Sequence, residues 1–180
     1  MVRQVVERIR QKDQRAMKEL YQMYIEELSS VCYRYVPSRD DAKDVLQNSF
    51  VKILTSIPDF EYRDETMFKG WMKKVVANEA LGYLKDRRRL LFVEQQQADA
   101  LPDDDDDAGP EQVSPDELHQ LITELPDGYR MVVNLFAFEG YSHKQIAALL
   151  GISEATSASQ FFHAKRLLAK KIKEIKDKRR

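Results

Sequence analysis

A chain of 180 residues, 43% hydrophobic and 33% charged, is long enough for one ordinary domain or two small ones and has the composition of a globular protein, which excludes disorder throughout. The first ten residues, MVRQVVERIR, hold no apolar run of signal-peptide length, and later apolar runs fall short of the roughly 18 residues a membrane span requires. A cytoplasmic protein without membrane insertion is therefore expected. The one cysteine, Cys32, has no internal disulfide partner and reads as core. His119, His143 and His163 follow no ligand spacing, so neither a metal nor a cofactor is expected.

The net charge of -1 conceals an uneven distribution. Residues 1–93 carry 18 Lys and Arg against 14 Asp and Glu, residues 94–117 carry ten acids and no base, and residues 118–180 carry 11 bases against six acids. Two basic blocks flank an acidic one, so a pI near 6 does not argue against nucleic-acid binding.

The first block reads as helical. Ala16, Leu20, Tyr24 and Leu28 recur every four residues, and Val45, Ser49 and Ile53 do so beside Leu46, Phe50 and Leu54. Helices are predicted over 15–36, 40–56 and 66–88, with Ser38 and Asp41 at capping-box spacing and the segment PDFEYRDET (58–66) as the main break. Around Trp71 the helix FKGWMKKVVANEALGYLKDRRR interleaves Lys69, Lys73, Lys74, Lys85 and Arg87 to Arg89 with Phe68, Trp71 and Tyr83. Cations for the backbone and aromatic faces for unstacked bases form the combination that single-stranded nucleic acid requires, although a lone tryptophan on such a helix is also an ordinary core residue.

From Glu94 to Val113 the chain holds four glutamines, two prolines and five consecutive aspartates, with almost nothing to bury. It reads as a flexible linker, and its 20 residues could span about 66 to 72 Å. The expected organisation is all-α: a helical domain over 1–93, an acidic linker over 94–113 and a helix-turn-helix domain over 114–180.

In the second block, helices are predicted over 115–125, 127–139, 142–150 and 154–176. Ser114, Pro115 and Glu117 supply a cap, a first-turn proline and a third-position acid, and Ser142 with Gln145 supplies a second capping pair. Between the last two helices, Gly151 can take a left-handed turn, Ile152 closes the corner and Ser153 caps the helix that would enter a DNA major groove. On that helix Gln160 suits adenine, Ser159 and Thr156 suit a phosphate or base edge, and Phe162 suits a thymine methyl, while Phe161 reads as core. The basic tail from Lys165 to Arg180 suits phosphates or a solvated helix end.

Four segments, DQRAMKELYQMY, SRDDAKDVLQNSFVKI, FKGWMKKVVANEALGYLKDRRR and LPDGYRMVVNLFAFEGYSHKQIAALLGISEATSASQ, stand in the order and at the separations of RNA polymerase sigma factors of the sigma-70 family, extracytoplasmic-function class. The chain resembles that family over nearly its whole length except the linker. The resemblance implies a transcription initiation factor that binds core RNA polymerase and promoter DNA, has no catalysis of its own, and is held inactive by an anti-sigma factor.

Position by position, the resemblance puts Asp41, Asp44, Gln47 and Asn48 against polymerase. It puts Phe60, Tyr62, Phe68, Lys69, Trp71, Lys74 and Asn78 at the opened downstream element, where a base is flipped out. Lys144, Thr156, Ala158, Ser159, Gln160, Phe162, His163 and Arg166 fall at the upstream element. The linker would thread toward the polymerase cleft, its aspartates mimicking a nucleic-acid backbone.

Some positions depart from the family pattern. Ala158, Gln160 and His163 stand where Lys or Arg is usual, Ala77 replaces an arginine beside Asn78, and Gly82 replaces an aspartate. A free-standing helix-turn-helix regulator would account for residues 115–180 alone, and a helical adaptor would account for the sparse charge of the recognition helix. No Gly-rich phosphate loop, nucleophile and base pair, or metal cluster speaks for an enzyme.

Overall fold

The computed structural model describes residues 1–86 and 113–179, and all structural statements concern these. The predicted linker, apart from Val113, and Arg87 to Arg89 lie outside them. Among the described residues there are α-helices, one 3-10 turn and one π-helical turn, and no strand. The chain divides into two compact units, one up to Arg87 and one from Arg88.

The first unit opens with a helix that the sequence reading did not predict, α1 (Val2–Arg10). Val2, Val5, Val6 and Ile9 follow the i, i+3, i+4, i+7 spacing and are all buried against α2 (Gln14–Tyr35). Burial of such side chains stabilises by roughly 1.5–3 kcal/mol each, enough to hold nine residues that would not be helical alone. Lys12 takes a positive φ of 63° between the helices, and the Asp13 carboxylate caps α2 by accepting from the Arg15 and Ala16 amides.

The predicted four-residue stripe of α2 is its buried face: Ala16, Leu20, Tyr24 and Leu28, continued by Cys32. Burial pushes the Cys32 thiol up to about 12, as suits a core cysteine. After Pro37, which cannot continue a helix, Ser38 caps α3 (Arg39–Ser56). Ser49 lies inside α3's apolar face and donates to the Val45 carbonyl at 2.7 Å, which removes the cost of burying its hydroxyl. A 3-10 turn (Ile57–Asp59) and an extended stretch lead to α4 (Glu65–Asp86), where the Asp64 carboxylate accepts from the Met67 amide at 2.8 Å. Helices α2, α3 and α4 pack on one another around Leu20, Ile53, Phe68 and Met72.

In the second unit the capping box of Ser114 and Glu117 starts α5 (Pro115–Thr123) as predicted. Arg130 of α6 (Asp127–Val133) is buried, but its guanidinium donates to the carbonyls of Thr123 and Leu125, at 3.2 and 2.7 Å, and pairs with Asp127, so the charge is neutralised in place and the α5–α6 turn is stitched. The single helix predicted over 127–139 is in fact two: α6 widens into a π-turn (Asn134–Phe138), closed by the Glu139 amide donating to the Asn134 carbonyl at 3.1 Å.

The capping box of Ser142 and Gln145 opens α7 (His143–Leu150), and Gly151 closes it at φ 70°, its amide donating to the Ala147 carbonyl. Ser153 then caps α8 (Glu154–Arg179), accepting from the Thr156 amide at 2.9 Å. Ile122, Leu125, Val133 and Ala164 form a core cluster of this unit, joined by Leu118, Tyr129, Phe161, Leu167 and Leu168.

Candidate functional site

The start of α4 and the stretch before it build an aromatic cluster. Phe60 stacks on Trp71 with centroids 4.4 Å apart and planes 29° apart, and Phe68 lies 5.5 Å from Phe60, 5.6 Å from Tyr62 and 5.7 Å from Trp71. Depth separates these rings. Phe68, expected to face the opened strand, is wholly buried and forms the floor, because the side of α4 that carries it packs on Tyr24 of α2. Phe60, Tyr62 and Trp71 are half-buried and form the rim. Lys74 lies three residues beyond Trp71, and Asn78 four beyond Lys74, so all three share a helix face, and the last two are exposed.

Two further cations of α4, Lys69 and Lys73, form ion pairs within the unit. Lys73 pairs with Glu27 at 2.6 Å, while Lys69 pairs with Glu65 at 3.2 Å, approaches Glu27 at 3.9 Å and sits over the Tyr24 ring. Lys69 was expected at DNA, but its charge is largely compensated. The Lys73 hydrogen bond holds the Glu27 carboxyl below the ordinary glutamate range, and burial, followed by the nearby Glu65 charge, pushes the Tyr24 phenol up. Glu27 was missed in the sequence because it lies 46 residues from Lys73, and only folding brings the two together.

Asp44, Gln47 and Asn48 are exposed on α3 and Asp41 is half-buried, their spacings of three and four placing them on one face. The structure adds Val51 to that face, 56% exposed one turn beyond Gln47 and Asn48. Alternating apolar and polar residues in this stretch hid it among core positions.

In the helix-turn-helix, Ala158 and Phe162 are exposed, Ser159, His163 and Arg166 half-buried, and Lys144 of α7 exposed. Phe162 is 52% exposed, and the Arg166 guanidinium lies 5.7 Å from its ring centre. Two residues expected at the upstream element are engaged within the unit. Gln160 is only 6% exposed, because with Ser157 and Ala164 it forms the side of α8 turned to the rest of the unit, so it does not present an amide to a groove. The Thr156 hydroxyl is bound to the Ser153 hydroxyl at 2.8 Å and serves the helix start. Phe161 is half-buried against the core cluster as expected, 4.5 Å from Phe136. His143 stacks on Phe136 at 4.5 Å, and its Nδ1 lies 3.0 Å from the Ser157 hydroxyl, which ties α7 to α8.

Residues 20–90, which include both faces of the first unit, match the family model of sigma-70 region 2, and residues 116–168, which include the helix-turn-helix, match that of sigma-70 region 4. The chain belongs to the sigma-70 family. It is 29% identical over 184 residues to the ECF RNA polymerase sigma-E factors of Salmonella typhimurium strain LT2 and Escherichia coli K12, spanning 95% of this chain and 94% of each relative. The sigma-E factor of Haemophilus influenzae is also 29% identical, spanning 95% of both chains.

Two solved structures share the fold of this sigma factor, each with a TM-score of 0.50. CnrH, in complex with the cytosolic domain of CnrY, is 20% identical and covers 96% of this chain and 97% of its own. RpoE of Bartonella quintana, in complex with the anti-sigma factor NepR, is 21% identical and covers 87% and 96%. Helix α1 of the sigma factor lies outside both matched regions. Among the described residues no group of His, Cys, Asp and Glu forms a metal site, and no helix is long and apolar enough to cross a membrane.

Proposed function

We propose that this sigma factor binds core RNA polymerase through the exposed face of α3, carries it to promoters, and holds the opened downstream strand on the Phe60, Tyr62, Trp71, Lys74 and Asn78 face. The observation that carries this reading is the half-buried stacked pair of Phe60 and Trp71, with Lys74 and Asn78 exposed on the same side of α4. Flipping a base out of duplex costs a few kcal/mol of stacking. A base laid on an aromatic side chain recovers about 1–3 kcal/mol, and Lys74 and Asn78 supply a cation and an amide beside it.

Helix α8 would read the upstream element with Phe162 against a thymine methyl and Arg166, Lys144 and Ser159 toward phosphates. Between Glu154 and Ala164 it has no lysine or arginine, so upstream binding would depend on polymerase to concentrate the DNA. This favours the initiation factor over a free-standing regulator, which needs its own phosphate contacts. Polymerase supplies the catalysis, the sigma factor has none, and the complex acts in the cytoplasm. An anti-sigma protein would hold the chain inactive, in keeping with the partners named for CnrH and RpoE. Asp103 to Asp107 would act as a nucleic-acid mimic on polymerase.

The test is strand opening by holoenzyme. Permanganate reactivity of promoter thymines should appear with the intact chain and fall at least tenfold with Trp71→Ala, while core binding and closed-complex formation persist. Full opening by Trp71→Ala would remove the strand-capture role from this face.

A further inference from the structure

The aromatic pair is held from outside the matched regions. Arg10, the last residue of α1, donates from Nη2 to the Phe60 carbonyl at 2.5 Å, and its Nε reaches the Ile57 carbonyl at 3.5 Å. The Ile57 carbonyl also accepts from the Phe60 amide at 3.2 Å, so one guanidinium fork closes the whole turn from Ile57 to Phe60. The fork is itself held: Nη1 donates to the Glu7 carboxylate at 2.8 Å one turn back. Helix α1 is fixed by Val2, Val5, Val6 and Ile9, each buried to at least 96%. A continuous chain of contacts thus runs from the α1 apolar face through Arg10 to the Phe60 backbone, and from the Phe60 ring to Trp71, 4.4 Å away.

We propose that Arg10 is a positioning residue for strand capture: α1 holds the Ile57 to Phe60 turn so that Phe60 stays stacked beside Trp71, and the aromatic face is formed before DNA arrives. The inference rests on the strand-capture reading above. Without the fork, nothing in α4 fixes the Phe60 carbonyl, and the turn gains freedom that binding must then remove. The Arg10 side chain is 31% exposed and its donors reach only the Glu7 carboxylate and the carbonyls of the Ile57 to Phe60 turn, so loss of those donors should act on the turn more than on the fold.

Arg10→Met keeps the aliphatic stem and removes every donor. Trp71 is the chain's only tryptophan, so its emission in the free full-length chain reports the stack directly. Acrylamide quenching measured below the melting transition should rise for Arg10→Met, and Arg10→Lys should return it part-way. In holoenzyme, affinity for a promoter with a pre-opened downstream element should fall roughly tenfold, with affinity for core polymerase unchanged.

Trp71→Ala measured alongside separates the two levels of the account. If Trp71→Ala loses the pre-opened template while Arg10→Met keeps both native quenching and affinity within about twofold, Arg10 is not a positioning residue. If Trp71→Ala also binds normally, the strand-capture reading fails and this inference fails with it.

Discussion

Phe68 and Trp71 are three positions apart on α4, yet one is floor and the other rim. Such differences of depth decide which substitutions report on function and which on folding. Phe162, half exposed on α8, should when changed to alanine leave the melting temperature within about 2 °C and lower transcription from promoters severalfold, as transcription in vitro would show. Gln160→Ala should do the reverse, lowering thermal stability while leaving promoter preference unchanged, because the side chain is inside the unit. Gly82 lies exposed in α4, and a Cβ there meets nothing within 4 Å. Gly82→Ala should stabilise the first unit by roughly 1 kcal/mol, raising its melting temperature by about 4–8 °C in a thermal scan.

Helices are held to one another in both units by carboxylates engaged with lysines. Glu27 with Lys73 joins α2 to α4, and Glu124, the residue that ends α5, with Lys171, at 2.6 Å, ties the end of α5 to α8. The lysine hydrogen bond is the largest cause of the lowered carboxyl in each case. Because these groups ionise below the ordinary 4.5 in the folded chain, the unfolded chain takes up protons first as pH falls. Their contribution is therefore complete above about pH 6 and is lost as pH drops through 4.5 and below. Thermal melts between about pH 6 and pH 4 should show this decline, and Glu27→Gln should make it shallower for the first unit.

The helices from α2 onward were legible because their apolar residues recur every three or four positions and most of their caps are written in Ser38, Ser114, Ser142, Gly151 and Ser153, whereas the Asp13 cap of α2 emerged only in the structure. Helix α1 was not read, although Val2, Val5, Val6 and Ile9 carry the same periodicity: it has nine residues and no side-chain cap. The π-turn after Val133 leaves no mark in composition. Within the candidate site, the residue types of the rim were legible, but the burial of Phe68 and Gln160 was not. Ser157, Gln160 and Ala164 are too small or too polar to reveal the inward face of α8, and Arg10 is 50 residues from the carbonyl it holds.

At the scale of the molecule, matches to sigma-70 regions 2 and 4 fall on the two compact units, and the acidic run between them is a further element to test. Replacing Asp103 to Asp107 with asparagine removes five charges and should slow initiation by holoenzyme while leaving core affinity intact. Abortive-product assays would show this, and an unchanged rate would remove the mimic role.

The most direct test of the central claim is run-off transcription by core RNA polymerase on genomic fragments, with and without the full chain. The chain should co-elute with core and start transcription at discrete sites that core alone ignores. A chain that neither binds core nor redirects it, while binding duplex DNA alone, would contradict the account and make it a free-standing regulator.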